Sequence, residues 1–231
     1  MALLEVDVRC NQLADQNTVL ESDPDVVIIA TGGIPNVGRF EGNELATTVW
    51  DVLAGHVECD GQILILDESG GHAALSCAEF IADKGAHVEI ISPDKVLGTE
   101  LAQTNMGAHM NELYKLKVRI RPDTRLEQLE REDDGVRATL TNVYSKLNET
   151  HRFDRVIGEH GTTPNSDLYF ALKPLSTNLG QLDLKRLTAA ESQALAPNPE
   201  GRFSLYRIGD AWASRNIHAA MLDAMRLCLH L

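Results

Sequence analysis

The sequence predicts an α/β fold built around a parallel sheet, and three observations carry this prediction. The short apolar run Gln62–Leu66 lacks polar alternation, which is typical of a parallel strand buried on both faces. After a glycine pair, the residues from Ala73 to Lys84 carry small apolar side chains at helical spacing, and Gly85 then ends the helix. A second apolar run, His87–Ile91, follows. Strand, helix and strand in this order predict a βαβ unit.

Length and composition limit the function classes. The 231 residues can bury one sizeable core or two smaller ones. The net charge of −13 argues against a nucleic acid or an anionic membrane surface as partner. The sequence lacks a long apolar run and a secretion signal, so we expect a cytoplasmic protein. Its four cysteines form no CxxC pair and its histidines lack metal spacing, so we predict no metal site.

The segments before the βαβ unit predict further strands, one of which ends in a glycine turn. Met1–Glu5 is typical of the end of a helix, and Val6–Cys10 predicts a strand. The apolar run that follows Asp25 predicts a buried strand, which ends in the glycine turn Thr31-Gly32-Gly33. A short helix is expected at Thr48–Leu53.

The segments after the βαβ unit predict a helix, a small antiparallel meander and a return to the sheet. The helix Leu101–Lys117 and the strand Val118–Arg121 come first. Alternating polar and apolar residues predict the meander strands Thr124–Glu130, Val136–Tyr144 and Thr150–Phe153. The remaining predicted elements are the strand Arg155–Gly158, the loop Thr188–Gly201, the strand Phe203–Ile208 and a closing amphipathic helix, Arg215–Leu231.

The turn inside the βαβ unit departs from the pattern that binds dinucleotides. That pattern is G-x-G-x-x-G between strand and helix, where glycines let the backbone approach a pyrophosphate. Here the three glycine positions hold Asp67, Ser69 and His72, and the acid expected to bind the ribose is replaced by Ser92. The βαβ unit therefore predicts the fold, while the residues of its turn argue against ordinary NAD(P) binding.

Four stretches together resemble a known family. They are DVVIIATGGIPN, ILILDESGGHAALSCAEFIADKGAHVEIIS, DRVIGEHGTTPNSDLY and YRIGDAWASRNIHAAMLDAMR. Their order resembles the C-terminal FAD/NAD(P)-type region of the trimethylamine dehydrogenase, histamine dehydrogenase and 2,4-dienoyl-CoA reductase flavoproteins. The start of the inserted domain, Asp67-Glu68-Ser69-Gly70, looks more like the amine dehydrogenase and amine demethylase branch of these NADH:flavin oxidoreductases.

The resemblance implies a Rossmann-like fold with two dinucleotide-binding domains, the first truncated at its N-terminus. Residues 1–47 and 200–231 would form the remnant of an FAD- or ADP-binding domain. Residues 48–199 would form an inserted NAD(P)-binding-like domain that carries the meander. FAD or ADP is the cofactor expected in the first domain, while FMN and a [4Fe-4S] cluster are expected only in the missing N-terminal part.

The resemblance also implies which residues contact the nucleotide. Thr31, Gly32 and Gly33 would approach it, and Gly209 and Asp210 would lie at the start of the last helix, near its ribityl or ribose–pyrophosphate part. A helix N-terminus favours an anion, and glycines permit close approach of the backbone. The alternative is that both stretches are ordinary turns between strand and helix. No catalytic residue is identified, and the Glu159-His160 pair is expected at the surface.

The sequence thus predicts the nucleotide-binding or scaffold region of a flavin-dependent oxidoreductase that acts on N-methylated amines. The missing flavin barrel, or a partner chain that supplies it, would be its partner, and an electron-transfer protein would accept the electrons. On its own the chain is expected to be inactive. Two alternatives stay open: a stand-alone non-catalytic subunit that a partner chain completes, and a small NAD(P)H-dependent reductase.

Overall fold

The computed structural model describes residues 6–229 and Leu231, so the predicted helix end at Met1–Glu5 lies outside the described residues. The chain forms two compact units, one from residues 1–34 and 163–231 and the other from residues 35–162. These bounds differ from the expected domains, which placed residues 163–199 in the inserted part. The reason is packing, since Tyr169 and Leu172 share a buried cluster with Val27 and Leu205.

Strands and helices alternate along most of the chain. The strands are β1 (Val26–Ile29), β2 (Gly33–Pro35), β3 (Thr47–Thr48), β4 (Gln62–Asp67), β5 (His87–Ile91), β6 (Arg119–Arg121), β7 (Thr124–Glu132), β8 (Gly135–Asn142), β9 (Asn148–Phe153), β10 (Arg155–Glu159), β11 (Thr162–Pro164) and β12 (Ser204–Arg207). The α-helices are α1 (Gln16–Glu21), α2 (Val49–Leu53), α3 (His72–Asp83), α4 (Gln103–Lys115), α5 (Asp167–Leu172), α6 (Leu184–Thr188) and α7 (Ile217–Cys228).

The second unit, residues 35–162, is built on a parallel sheet with strand order β3-β10-β4-β5-β6. Ile63 and Ile65 of β4 pack in a buried cluster with α3, while Leu64 and Leu66 pack in a second cluster with the meander. All four side chains are fully buried. Each contributes roughly 1.5–3 kcal/mol by leaving water, which explains why β4 is apolar throughout rather than alternating.

The βαβ unit forms as predicted because its two turns use glycine where the backbone needs it. Gly70, before α3, has a φ of +64°, and Gly85, after α3, has a φ of +101°. Between them, Ala74 and Ala78 are fully buried, and small side chains there let the helix lie close to the sheet. The predicted meander is also present, as β7, β8 and β9 pair antiparallel in sequence order.

The first unit contains a two-stranded parallel sheet in which Val26 of β1 lies opposite Ser204 of β12. Its core is a cluster of buried residues from both strands and from α5. Helix α7 carries the apolar face that the sequence predicts, but that face is largely exposed. Ile217 is 74% exposed and Met225 is 56% exposed, and Leu227 is the one buried residue of α7 in the described part of the chain.

The sequence prediction was wrong at several short elements. Residues 6–10 form no strand. The helices α1, α5 and α6, of five or six residues each, were not predicted. Capping side chains help to fix two of them: Asp15 accepts the backbone N–H of Thr18, and Asp183 accepts those of Lys185 and Arg186. Among the described residues, no helix has the length and apolar character needed to cross a membrane.

Candidate functional site

In the first unit, the carboxyl ends of β1 and β12 lie side by side. The two strands run parallel, and the N–H of Ile208, just past β12, donates to the carbonyl of Ile29 at 3.0 Å. The chain leaves these ends through two glycine turns, one at Gly32 and one at Gly209. Ligands of parallel α/β sheets bind outside the carboxyl ends of the strands. This edge is therefore the candidate site of the first unit.

A cavity of about 370 Å³ lies at this edge. Among its lining residues are three of the five that the resemblance implied, Gly32, Gly209 and Asp210. Thr31 and Gly33 do not line it. The Thr31 hydroxyl donates to the carbonyl of Asn165, and Gly33 begins β2, which pairs with β11.

The two glycines of the cavity are required by the backbone. Gly32 has a φ of +70° and Gly209 a φ of +59°, a region that side chains other than glycine rarely adopt. A Cβ on Gly209 would lie 3.3 Å from the Cβ of Ala220 on α7, so this turn also needs glycine for space. A Cβ on Gly32 would meet nothing within 4 Å, which means that open space lies beside this backbone.

A network of charged groups holds the turn after β12 against α7. Asp223 Oδ2 accepts the N–H of Gly209 at 3.1 Å and pairs with the guanidinium of Arg215. Asp210 Oδ1 accepts the backbone N–H of Arg215 at 3.1 Å. Asn216 caps α7 by accepting the N–H of Ala219 at 3.0 Å, and it also lines the cavity. The positive end of the α7 dipole therefore lies at the cavity, where it favours an anion.

In the second unit, the turn after β4 is filled by a carboxyl group of the chain itself. Asp67 is fully buried, and its Oδ1 accepts the N–H groups of Ser69 at 3.2 Å and of Gly70 at 2.9 Å. Ser69 Oγ accepts the N–H of Gly71 at 3.3 Å. In a dinucleotide-binding turn, backbone amides of this loop face the pyrophosphate. Burial raises the pKa of Asp67, and the two backbone hydrogen bonds oppose that rise.

The ends of β4 and β10 bring together a second pair of polar residues. His160 Nδ1 lies 2.7 Å from Glu68 Oε2, and Glu159 Oε1 accepts the N–H of Gly161 at 2.9 Å. The expectation that Glu159 and His160 are surface residues was wrong: Glu159 is 7% exposed and the His160 side chain 3% exposed.

Two glycines make room for the buried imidazole of His160. A Cβ on Gly38 would lie 2.6 Å from His160 Nε2, and a Cβ on Gly158 would lie 2.5 Å from it. Within the described part of the chain, this Nε2 has no hydrogen-bond partner. The glycine before Glu159-His160 was a signal for burial that the sequence prediction did not use. Among the described residues, no group of histidine, cysteine or acidic side chains could hold a metal ion.

Comparison with known proteins gives the family. Residues 2–187 match the model of the pyridine nucleotide-disulphide oxidoreductase family. A Rhizobium meliloti (strain 1021) protein named "Probable N-methylproline demethylase" is 42% identical over 97% of this chain and 33% of its own length. An N,N-dimethylglycine/sarcosine dehydrogenase of Chromohalobacter salexigens is 38% identical over 99% of this chain and 35% of its own length.

Solved structures share the fold at low identity. Histamine dehydrogenase from Rhizobium sp. 4-9 superposes with a TM-score of 0.72 at 19% identity, over 94% of this chain and 32% of that one. Thioredoxin reductase of Lactococcus lactis superposes with a TM-score of 0.58 at 18% identity, over 86% of this chain and 62% of that one. These likenesses confirm the predicted Rossmann-like α/β fold.

The chain spans about a third of the length of the curated relatives that it matches. The predicted resemblance to the amine dehydrogenase and demethylase flavoproteins is confirmed by these relatives, and the oxidoreductase class by the family model. A flavin or another nucleotide is the kind of cofactor that such a family uses. The chain belongs to the pyridine nucleotide-disulphide oxidoreductase family.

Proposed function

We propose that the chain is the nucleotide-binding and scaffold region of a flavin-dependent oxidoreductase that acts on N-methylated amines. The observation that carries the nucleotide-binding role is the cavity at the carboxyl ends of β1 and β12, lined by Gly32, Gly209 and Asp210. The substrate class rests on the names of two relatives that are 42% and 38% identical over nearly the whole chain. Both relatives act, by name, on N-methylated amino acids.

The first unit would hold FAD or ADP. The open space beside Gly32 admits a close approach of the ligand to the backbone, and the N-terminus of α7 favours its phosphate groups. The carboxylate of Asp210 would accept a hydrogen bond from a ribose or ribityl hydroxyl. The expected domain bounds, 1–47 with 200–231, are replaced in this proposal by residues 1–34 with 163–231, because these form one compact unit.

The second unit would be a scaffold that does not bind NAD(P) in the ordinary way. The amides of Ser69 and Gly70, which would have to face a pyrophosphate, already donate to Asp67. A phosphate at this turn would therefore have to displace a buried carboxyl group. This hydrogen bonding supports the flavoprotein scaffold over the alternative of a small NAD(P)H-dependent reductase.

The remaining two thirds of such an enzyme would complete the first unit. No strand of the described chain pairs with β1 on the side away from β12. Parallel sheets are stable when both faces and most edges are covered, so a two-stranded parallel sheet needs further strands. We infer that the first βαβ segment of the FAD- or ADP-binding domain, in the same polypeptide as a flavin barrel or in a partner chain, supplies these strands. FMN and an iron–sulfur cluster would belong to the flavin-barrel region, and an electron-transfer protein would accept its electrons.

A chimeric enzyme tests this proposal. The N-terminal two thirds of the Rhizobium meliloti relative would be joined to this chain, and N-methylproline oxidation would be followed with an artificial electron acceptor. We expect turnover by the chimera and none by the chain alone. In the chimera, Asp210→Asn should weaken FAD or ADP binding about tenfold, as expected for one charged hydrogen bond. The exposed Asp25→Asn serves as the matched control.

Three results would contradict the proposal. A folded chimera without amine oxidation would refute the substrate class. Equal nucleotide affinity of the two aspartate variants would refute the assigned site. Micromolar NADH binding by the chain would support the reductase alternative instead.

A further inference from the structure

A second cavity of the first unit lies beside the nucleotide cavity and is not part of it. Its volume is about 290 Å³, and the two cavities share the residues Ile208 and Arg215. Four leucines contribute to its walls, namely Leu182, Leu184, Leu187 and Leu227. The rings of Tyr169, Tyr206 and Trp212 also contribute to its walls. Cavities of about this size with mainly apolar walls are typical of small-molecule sites.

The charged residues around this cavity are mostly cationic. They are Arg207, Arg215, Arg226 and a single acid, Asp223. The Asp223 carboxylate already has two partners, because it pairs with Arg215 and accepts the N–H of Gly209. Arg207 and Arg226 form no salt bridge with any residue that the structure describes. Two unneutralised guanidinium groups at one apolar cavity are unexpected in a chain whose net charge is −13.

The guanidinium of Arg207 lies near two aromatic rings. Its Cζ lies 4.4 Å from the ring centroid of Tyr169 and 5.6 Å from that of Phe170. Cation–π contacts of this kind do not use the guanidinium N–H groups, and a carboxylate can accept two of these N–H groups at once. The leucines of the cavity range from buried to exposed, with Leu227 4% and Leu184 59% exposed, so hydrocarbon bound there would cover apolar surface that now faces water.

We propose that this cavity binds a small organic carboxylate with an apolar body, such as a medium-chain fatty acid. The leucines would bury the hydrocarbon, and Arg207 and Arg226 would neutralise the carboxylate. An amine or a zwitterion gains less here, because no unpaired carboxylate lines the cavity to receive its ammonium group. The ligand chemistry of this cavity therefore differs from that of a site for N-methylated amines. The carboxylate proposal does not depend on the proposed function.

Tryptophan fluorescence gives a direct test on the whole chain. Trp212 lines the cavity, and the only other tryptophan, Trp50, lies in the second unit. In the Trp50→Phe background, titration with sodium octanoate should change the Trp212 emission in a saturable way. We expect 1-octanol and octylammonium to bind at least tenfold more weakly, because neither presents an anion to the two arginines.

Arginine variants distinguish a specific carboxylate site from nonspecific apolar binding. Arg226→Gln should weaken octanoate binding about tenfold, and Arg226→Lys should restore most of the affinity because the charge returns. Arg131→Gln, an exposed arginine of the second unit, is the matched control and should bind like the parent. Arg226 is exposed and forms no side-chain hydrogen bond or salt bridge with a described residue, so all variants should keep the parent's circular dichroism and melting temperature.

The proposal would be overturned by any of three results. These are the absence of a saturable response to octanoate, equal affinity for octanoate and 1-octanol, and equal affinity of the Arg226→Gln and Arg131→Gln variants.

Discussion

Asp67 and Glu68 are adjacent in the sequence, but the fold shifts the pKa values of their carboxyl groups in opposite directions. Burial raises the pKa of Asp67, whose Oδ2 has no hydrogen-bond partner among the described residues. A hydrogen bond from His160 lowers the pKa of Glu68, whose side chain is 37% exposed. Glu68 is the first residue after β4, and there the chain turns: the Asp67 carboxyl group accepts N–H groups of the turn, while the Glu68 carboxyl group meets His160 just past β10.

We expect the Asp67→Asn variant to lack a loss of stability that the parent shows as the pH rises. The folded-state pKa of Asp67 lies above its ordinary value of 3.8, so the parent loses stability as the pH rises through that raised pKa. The stability of Asp67→Asn relative to the parent should therefore increase between pH 4 and pH 8. Urea unfolding followed by Trp50 fluorescence in a Trp212→Phe background measures this for the second unit. The exposed Asp60→Asn is the control, and parallel pH profiles for both variants would refute the prediction.

Glu68→Gln should show the opposite pH dependence. The folded-state pKa of Glu68 lies below its ordinary value of 4.5, so its contribution is present above that value and is lost as the pH falls through the lowered pKa. The variant should be less stable than the parent at pH 7, and the difference should shrink towards pH 3. Because Glu68 is partly exposed, we expect a loss of about 1 kcal/mol or less. The same urea assay applies, and a difference that does not change with pH would contradict this view.

Gly209→Ala should destabilise the first unit more than Gly32→Ala does. Both glycines have a positive φ, so either alanine costs about 1 kcal/mol of backbone strain. Only at Gly209 would the new Cβ also press on Ala220 of α7, at 3.3 Å. Unfolding followed by Trp212 fluorescence in the Trp50→Phe background compares the two. Equal losses of stability would show that α7 does not constrain this turn.

Thiol titration should find two reactive cysteines in the native chain and four after unfolding. Cys10 and Cys228 are exposed, while Cys59 and Cys77 are buried. Burial raises the pKa of Cys77 to about 12, so at pH 8 roughly one thiol in 10⁴ is the reactive thiolate. A disulfide reagent with and without denaturant measures the two counts. Fast labelling of Cys77, located by peptide mass, would mean that the cluster around α3 opens readily.

Elements whose pattern repeats within a few residues could be predicted from the sequence. The apolar runs of β4 and β5, the small residues of α3 and the alternation in β7 and β8 each predict their structure, because burial of one face or of both leaves a visible period. The glycine turns after β1 and β12 were also visible, since a positive φ leaves few other residues possible. The family resemblance added five candidate residues, of which Gly32, Gly209 and Asp210 line one cavity, and their contact with a nucleotide stays a prediction.

Contacts between elements that are far apart in the sequence became visible in the folded chain. The sequence placed Glu159 and His160 at the surface, whereas both are buried where β10 pairs with β4, and His160 lies against Glu68 and the distant Gly38. It placed residues 163–199 in the inserted domain, whereas Tyr169 and Leu172 pack with β1 and β12. Pairings between residues that are about 100 positions apart depend on packing energy summed over the whole core. A pattern of residues within one strand or helix carries no information about that energy, which is why these contacts could not be predicted from the sequence.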